Sequence, residues 1–462
     1  MPIDLDKLRG RVRGAELTRC KGSVVRVAGL TVEAKGPPVG LGALCDIHLA
    51  DGRAVPAEVV GFHDDLRVLM PLESIEGISP RDVVSSNDAP RRIPVGEGIL
   101  GRVIDGLGQP IDGMGPLVGE ATRSLETAAP QPLSRPRIEQ PLAFGLRAFD
   151  GLLTCGRGQR LGIFAGSGVG KSTLLAEIAR SSDADVNVLV LVGERGREVR
   201  EFLENALGPE GLARSVVAVA TSDTSPIQRV KVAFLGLTIA EYFRDTGKDV
   251  LFMMDSLTRL AMAQREIGLA AGEPPTTKGY CPSVFSLLPR ITERLGNTDR
   301  GSATGVFTVL VESDDMNDPI ADAVRSLLDG HVVLSRKLAE AGQYPAVDVL
   351  QSVSRLMPSV ASEAHQEAAR RFRAAYSTYR ESEDLISIGA LAPGQNPRID
   401  RAVELIDPIR RFLAQPVGQR STLDETVQAL LEISSRWDDS LVGHTGPGGP
   451  GALAALRPEA RR

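Results

Sequence analysis

LGIFAGSGVGKSTLLAEIA, residues 161–179, decides how the rest of the sequence reads. An apolar run enters a turn carrying Gly166, Gly168 and Gly170, and a lysine, two hydroxyls and an apolar helical stripe follow. Glycines at that spacing let backbone N–H groups turn inward around a phosphate, beside a helix N-terminus that favours negative charge. Lys171 then reaches the β- and γ-phosphates, the Ser172 hydroxyl suits Mg²⁺, and Thr173 can donate to an α-phosphate. The candidate cradle is therefore Gly166, Ser167, Gly168, Val169, Gly170, Lys171, Ser172 and Thr173. This is the P-loop pattern, with Ala165 where its first glycine usually sits. The plain alternative is a flexible glycine loop with a solvated lysine. The placement between LGIF and TLLAEIA argues against it.

A phosphate site of this kind needs a metal-organising carboxylate on a neighbouring strand. VLFMMD, residues 250–255, offers Asp255 at the end of an apolar run, where side chains emerge at the ligand-binding edge of a parallel sheet. The competing role for Asp255 is to cap the following turn, SLTR. Hydrolysis also needs a group that orients and polarises water. VLVLVGERGREVREF, residues 188–202, offers Glu194 just past another apolar strand. Arg195 is a candidate phosphate sensor or brace, while Glu198 and Glu201 read as helix-surface charges pairing with Arg197. These residues together read as a Mg²⁺-dependent ATPase; they do not say whether it is a motor, a pump or a switch.

The remaining sequence supplies the frame. Its 462 residues, 42% apolar and 24% charged, allow two or three cored domains, and the net charge of −6 does not advertise a nucleic-acid binder. Cys20, Cys45, Cys155 and Cys281 are widely separated and form no CxxC pair, so reduced thiols in the cytoplasm are expected and a zinc site is not. The N-terminus has no apolar signal core, and no segment approaches bilayer-spanning length, so membrane association is expected only through partners. Residues 1–18 hold a short charged helix with Leu5, Leu8 and Val12 on one face; it either packs on its own domain or docks a partner. Residues 19–97 carry short β-rich runs broken by turns such as Asp51-Gly52, which predicts a small β-barrel. Residues 98–360 alternate apolar strands with helices, which predicts a parallel sheet covered on both faces. One of its helices starts at Ser225 and Pro226, carries Ile227, Val230, Phe234 and Leu237 as its buried stripe, and closes at Gly247. Residues 361–442 predict a helical domain, with capping-box spacing from Thr422 to Glu425, and 443–462 predict a disordered tail. The fold class expected is an α/β P-loop NTPase core with a parallel sheet, an N-terminal small β-barrel and a C-terminal helical domain.

YPAVDVLQSVSR, residues 344–355, resembles the signature of the rotary-ATPase α/β family. GERGRE, VLFMMDSLTR and DDMNDP also look like motifs of that family, in its order, and the resemblance covers roughly residues 20–440. Within the family, MAQREIGLAAGEPPTTKGYCPSVFSLLPRITERLGN (262–297) and ESDDMNDPIADAVRSLLDGHVVLSR (312–336) look like the type III export ATPases. The flagellar branch is the nearest and that of virulence injectisomes almost as near. The resemblance implies a three-domain protomer in a homohexameric ring, hydrolysing ATP with Mg²⁺ to release chaperones and to unfold and load export cargo. It implies a stator or regulatory protein on the N-terminal helix, a stalk in the pore, and an export gate with chaperone–substrate complexes. The place implied is the cytoplasmic face of the inner membrane. By position it makes Glu194 the water-polarising residue, Tyr344 the aromatic that packs on adenine, and Arg355 an arginine finger reaching a neighbouring protomer.

Glu312, Asp314, Asp315 and Asp318 form a carboxylate cluster that could hold a metal. Asp318 followed by Pro319 reads better as a helix start, and the resemblance sets this loop near the pore, against a stalk. Cys281 and Leu391 depart from the family pattern, which commonly has proline or a small residue and tyrosine there. Three other readings stand beside the flagellar one: an injectisome ATPase, a catalytic ATP synthase subunit, and a hexameric RNA translocase. The last needs aromatic platforms on the barrel, yet Phe62 is the single aromatic residue among residues 1–97.

Overall fold

The computed structural model describes residues 20–87, 92–311, 318–391 and 394–438. The expected N-terminal helix, the tail, and Glu312, Asp314 and Asp315 lie outside them. The chain forms two compact units. One comprises the residues up to Ile138, Arg157–Arg180 and Ala184–His331; the other comprises Glu139–Gly156, Ser181–Asp183 and the residues from Val332 on.

The first unit begins with six antiparallel strands: β1 (Lys21–Ala28), β2 (Thr31–Lys35), β3 (Leu44–His48), β4 (Ala54–His63), β5 (Leu66–Pro71) and β6 (Val83–Asn87). They close into a barrel in the order β1-β2-β5-β4-β3-β6. Alternation fills it: Val55, Ala57 and Val59 of β4 point inward with Val32, Ile47, Leu69 and Val84. The barrel is fastened to the helix that Ser225 starts. Ser225 Oγ and Gln228 Nε2 both donate to the Leu72 carbonyl, at 2.8 and 2.6 Å, and Lys231 pairs with Glu58 at 2.6 Å.

Beyond the barrel lie β7 (Val103–Asp105), β8 (Arg160–Ala165), β9 (Val186–Val192), β10 (Ser215–Ala220), β11 (Asp249–Asp255) and β12 (Ser302–Leu310). They pair in parallel in the order β8-β12-β11-β9-β10-β7. β9 and β10 are buried along their whole length, as two-sided cover by helices requires. The helices that matter for the site are α1 (Lys171–Ser181), α2 (Pro226–Asp245), α3 (Leu257–Ala270), α4 (Pro282–Thr292) and α5 (Pro319–Leu327). Ser225 caps α2 and Asp318 caps α5, each with proline in the first turn, as the sequence indicates. Inside the core, Arg294 grips Glu241 through two bonds of 2.6 Å and also donates to Leu125 O and Thr238 Oγ1.

The second unit contains β13 (Val347–Ser354) and three helices, α6 (Glu363–Ser387), α7 (Pro397–Leu413) and α8 (Leu423–Ser434). Thr422 and Glu425 form the capping box of α8. Phe372 and Phe412 pack α6 on α7 with ring centroids 5.2 Å apart. Residues 139–156 join these helices: Arg147 Nε donates to Phe412 O at 2.9 Å, and Arg373 caps the Leu152 carbonyl at 2.6 Å. Among the described residues no helix is long and apolar enough to cross a membrane. The four cysteines carry no disulfide; Cys20 is exposed and the other three are buried.

Candidate active site

The glycine-rich turn leaves β8 at its C-terminal end. Gly168 and Gly170 take φ of +79° and +87°, the left-handed region that side chains with a Cβ rarely enter. α1 starts at Lys171, and the Leu174 N–H donates to Gly170 O at 3.0 Å to close its first turn. Val169 is buried and pins the turn, whereas Ser167, Ser172 and Thr173 are exposed at the helix N-terminus.

Three predicted residues meet here. Lys171 Nζ lies 2.5 Å from Asp255 Oδ1 and 3.8 Å from Glu194 Oε1. Asp255 ends β11, is 4% exposed, and also accepts the Thr308 hydroxyl at 2.7 Å. The alternative role for Asp255, capping SLTR, falls to its neighbour: Ser256 accepts the Arg259 N–H at 3.3 Å and is the N-cap of α3. Glu194 follows β9 through Gly193, whose φ of +70° turns the chain. A Cβ on Gly193 would stand 3.0 Å from Arg259 Cδ, and Arg259 Nε in turn donates to Glu194 Oε1 at 3.1 Å.

Burial, and then the negative charge of Asp255, push the Glu194 carboxyl up to about 7, against the pull of Lys171 and Arg259. Glu194 also shares a hydrogen bond with Glu198, whose carboxyl that bond holds below its ordinary value. Glu198 is thus not a surface partner of Arg197; its cation is Arg195, at 3.5 Å. Arg195 itself is exposed and meets the cluster only through Glu198. Tyr344 and Arg355 belong to the second unit. Tyr344 is 47% exposed and its carbonyl accepts the Gln415 N–H at 2.8 Å. Arg355 is exposed beside Ser354, which is buried and bonded to Thr154 O at 2.8 Å.

The donor set suits Mg²⁺. It offers hard oxygens, the Ser172 hydroxyl and the Asp255 carboxylate, and among the described residues no cluster of three His, Cys, Asp or Glu forms a cage. Mg²⁺ keeps waters and substrate phosphates and takes one or two protein ligands. Two members of the cluster escape the sequence reading. Arg259 is visible only as one helical turn past Ser256, and Thr308 is hidden inside the apolar run of β12.

Family models match three stretches: the ATP synthase alpha/beta family β-barrel domain over residues 24–86, that family's nucleotide-binding domain over 145–354, and the type III secretion EscN ATPase C-terminal domain over 361–432. The flagellum-specific ATP synthase of Bacillus subtilis is 52% identical over 89% of this chain and 95% of its own. The type 3 secretion system ATPase of Xanthomonas euvesicatoria is 50% identical over 89% and 94%. Among solved structures, the assembled ATPase EscN of the enteropathogenic E. coli type III secretion system superposes with a TM-score of 0.85 at 45% identity, covering 89% of this chain and 100% of that one. The same ATPase in complex with its central stalk EscO gives 0.83 at 43% identity, with the same coverage.

Proposed function

The chain belongs to the ATP synthase alpha/beta family, among its ATP-hydrolysing flagellar and type III secretion members, and from that premise we propose that it works as the hexameric motor of a flagellar protein export apparatus. The observation that carries the chemistry is the convergence of Lys171, Asp255 and Glu194 at the C-terminal edge of β8, β11 and β9.

The loop amides and Lys171 bind the β- and γ-phosphates, and Ser172 with Asp255 hold Mg²⁺. Mg²⁺ held there would offset the negative charge of the phosphate oxygens. Glu194 accepts a hydrogen bond from the attacking water and polarises it, which it does only as a carboxylate. Arg259 holds Glu194 Oε1 and so limits the directions the carboxylate can take. Tyr344 packs on adenine, Arg355 reaches the neighbouring protomer's phosphates with its planar fork, and Arg195 braces the phosphate side. The stalk seen with EscN supports a stalk partner in the pore of this ring. A stator or regulatory protein on the N-terminal segment, chaperone–substrate complexes and an export gate complete the proposed partners, and hold the protein at the inner membrane's cytoplasmic face.

An injectisome role is the second reading, favoured by the near-equal identity to the Xanthomonas secretion ATPase. Deleting the gene separates the two: loss of filaments supports the flagellar role, and loss of effector secretion with normal filaments supports the other. RNA translocation predicts ATPase stimulation by single-stranded RNA. No stimulation is expected from a barrel whose one aromatic, Phe62, stands without a second platform.

A further inference from the structure

β12 lies between the strand that feeds the glycine-rich turn and the strand that ends in Asp255. Its register is fixed on both sides: Ile163 pairs with Thr308, and Met254 with Phe307. Thr308 therefore comes level with Asp255, two positions short of the end of β12. It is fully buried in a run of apolar residues, where a hydroxyl is costly unless bonded. Its single proton has two acceptors in reach, Asp255 Oδ1 at 2.7 Å and Met254 O at 3.3 Å. The shorter bond, to a charged acceptor, is the stronger. β12 is also tied to the start of α3, because the Leu310 N–H donates to Thr258 Oγ1 at 2.9 Å.

Asp255 Oδ1 thus has two donors of different character, the Thr308 hydroxyl and the Lys171 ammonium. Lysine is a flexible arm, and in the proposed reaction its charge serves the phosphates. Threonine is β-branched and stiff, on a strand held from both sides. Oδ2 receives no hydrogen bond among the described residues. We propose that Thr308 is a positioning residue of this site: its hydroxyl holds Oδ1 and fixes the Asp255 carboxylate for Mg²⁺, including whenever Lys171 is engaged with phosphate. The inference rests on reading Asp255 as the metal-side carboxylate.

The test uses the full chain with Thr308→Val, which keeps the shape and removes the hydroxyl, and Thr308→Ser, which keeps the hydroxyl. Binding of a fluorescent ATP analogue is measured with and without Mg²⁺, and the Mg²⁺ needed for half-maximal hydrolysis is separated from KM for ATP. Outer-shell partners typically set metal affinity by 10–100-fold, so Thr308→Val is expected to need about 10-fold more Mg²⁺. Its metal-free nucleotide binding stays unchanged, and Thr308→Ser restores the wild-type Mg²⁺ dependence. Unchanged Mg²⁺ dependence in Thr308→Val overturns the inference, as does failure of Thr308→Ser to rescue, which would leave only packing. Should the valine variant not fold, Thr308→Ala, which likewise removes the donor, carries the same comparison. Asp255→Asn separates the premise from the inference. If it loses Mg²⁺-dependent binding while Thr308→Val does not, Thr308 alone is misassigned; if it too keeps wild-type Mg²⁺ dependence, the metal reading of Asp255 falls with it.

Discussion

At the scale of single residues, the role proposed for Glu194 makes its environment decide when it can act. A carboxyl raised to about 7 keeps its proton below that pH, and the protonated form cannot polarise water. kcat/KM, which reports the free enzyme, is therefore predicted to fall as pH drops through about 7, with the limb absent from the residual activity of Glu194→Gln. A flat profile across that range would contradict the assignment. Glu194→Gln itself should bind ATP and lose turnover by about 10²–10⁴-fold in a steady-state assay, the usual worth of a positioned base. Gly193→Ala is predicted to act on the same group from behind. Its φ of +70° is strained for alanine, at a cost of about 1–2 kcal/mol, and its Cβ would stand 3.0 Å from the Arg259 side chain that holds Glu194. Loss of both melting temperature and kcat is expected, and normal kcat would show that Arg259 does not govern Glu194.

At the scale of elements, the readable features are those whose causes lie within a few residues. Ser225-Pro226, Asp318-Pro319 and the Thr422–Glu425 box announce helix starts because a cap and its N–H donors are neighbours in sequence. Asp318→Ala should accordingly cost about 1 kcal/mol, measured by denaturant unfolding. The strands of the core are legible as apolar runs, and the glycine-rich turn as spacing. The strand order is not, and it is the order that sets β12 between β8 and β11 and brings Thr308 to Asp255. Glu194 and Arg259 are likewise 65 positions apart, and a pair at that separation leaves no local pattern. The same holds for Arg294 and Glu241, a buried bidentate pair that also secures Leu125 O. Arg294→Ala strands a buried charge and is predicted to lower stability by about 3–5 kcal/mol; a loss below about 1 kcal/mol would mean the pair contributes no more than a surface bridge. Residues 139–156 show no sequence cue that they pack with α6 and α7, since Arg147 and Phe412 are brought together only by the fold.

At the scale of the whole molecule, the proposed ring makes each active site depend on two protomers. Glu194→Gln and Arg355→Ala are each predicted to be inactive alone while still assembling. Mixed together they should regain part of the activity, because a site combining Glu194 from one protomer with Arg355 from the next is intact. Silence at every mixing ratio, with assembly intact, would argue against Arg355 acting across the boundary. The central claim, that hydrolysis at this site serves flagellar export, is tested most directly in the native cell by replacing the residue with Glu194→Gln and counting filaments while scoring swimming. Filaments and swimming should be lost while the protein remains as abundant as wild type. Normal filament number at normal protein abundance would contradict the account.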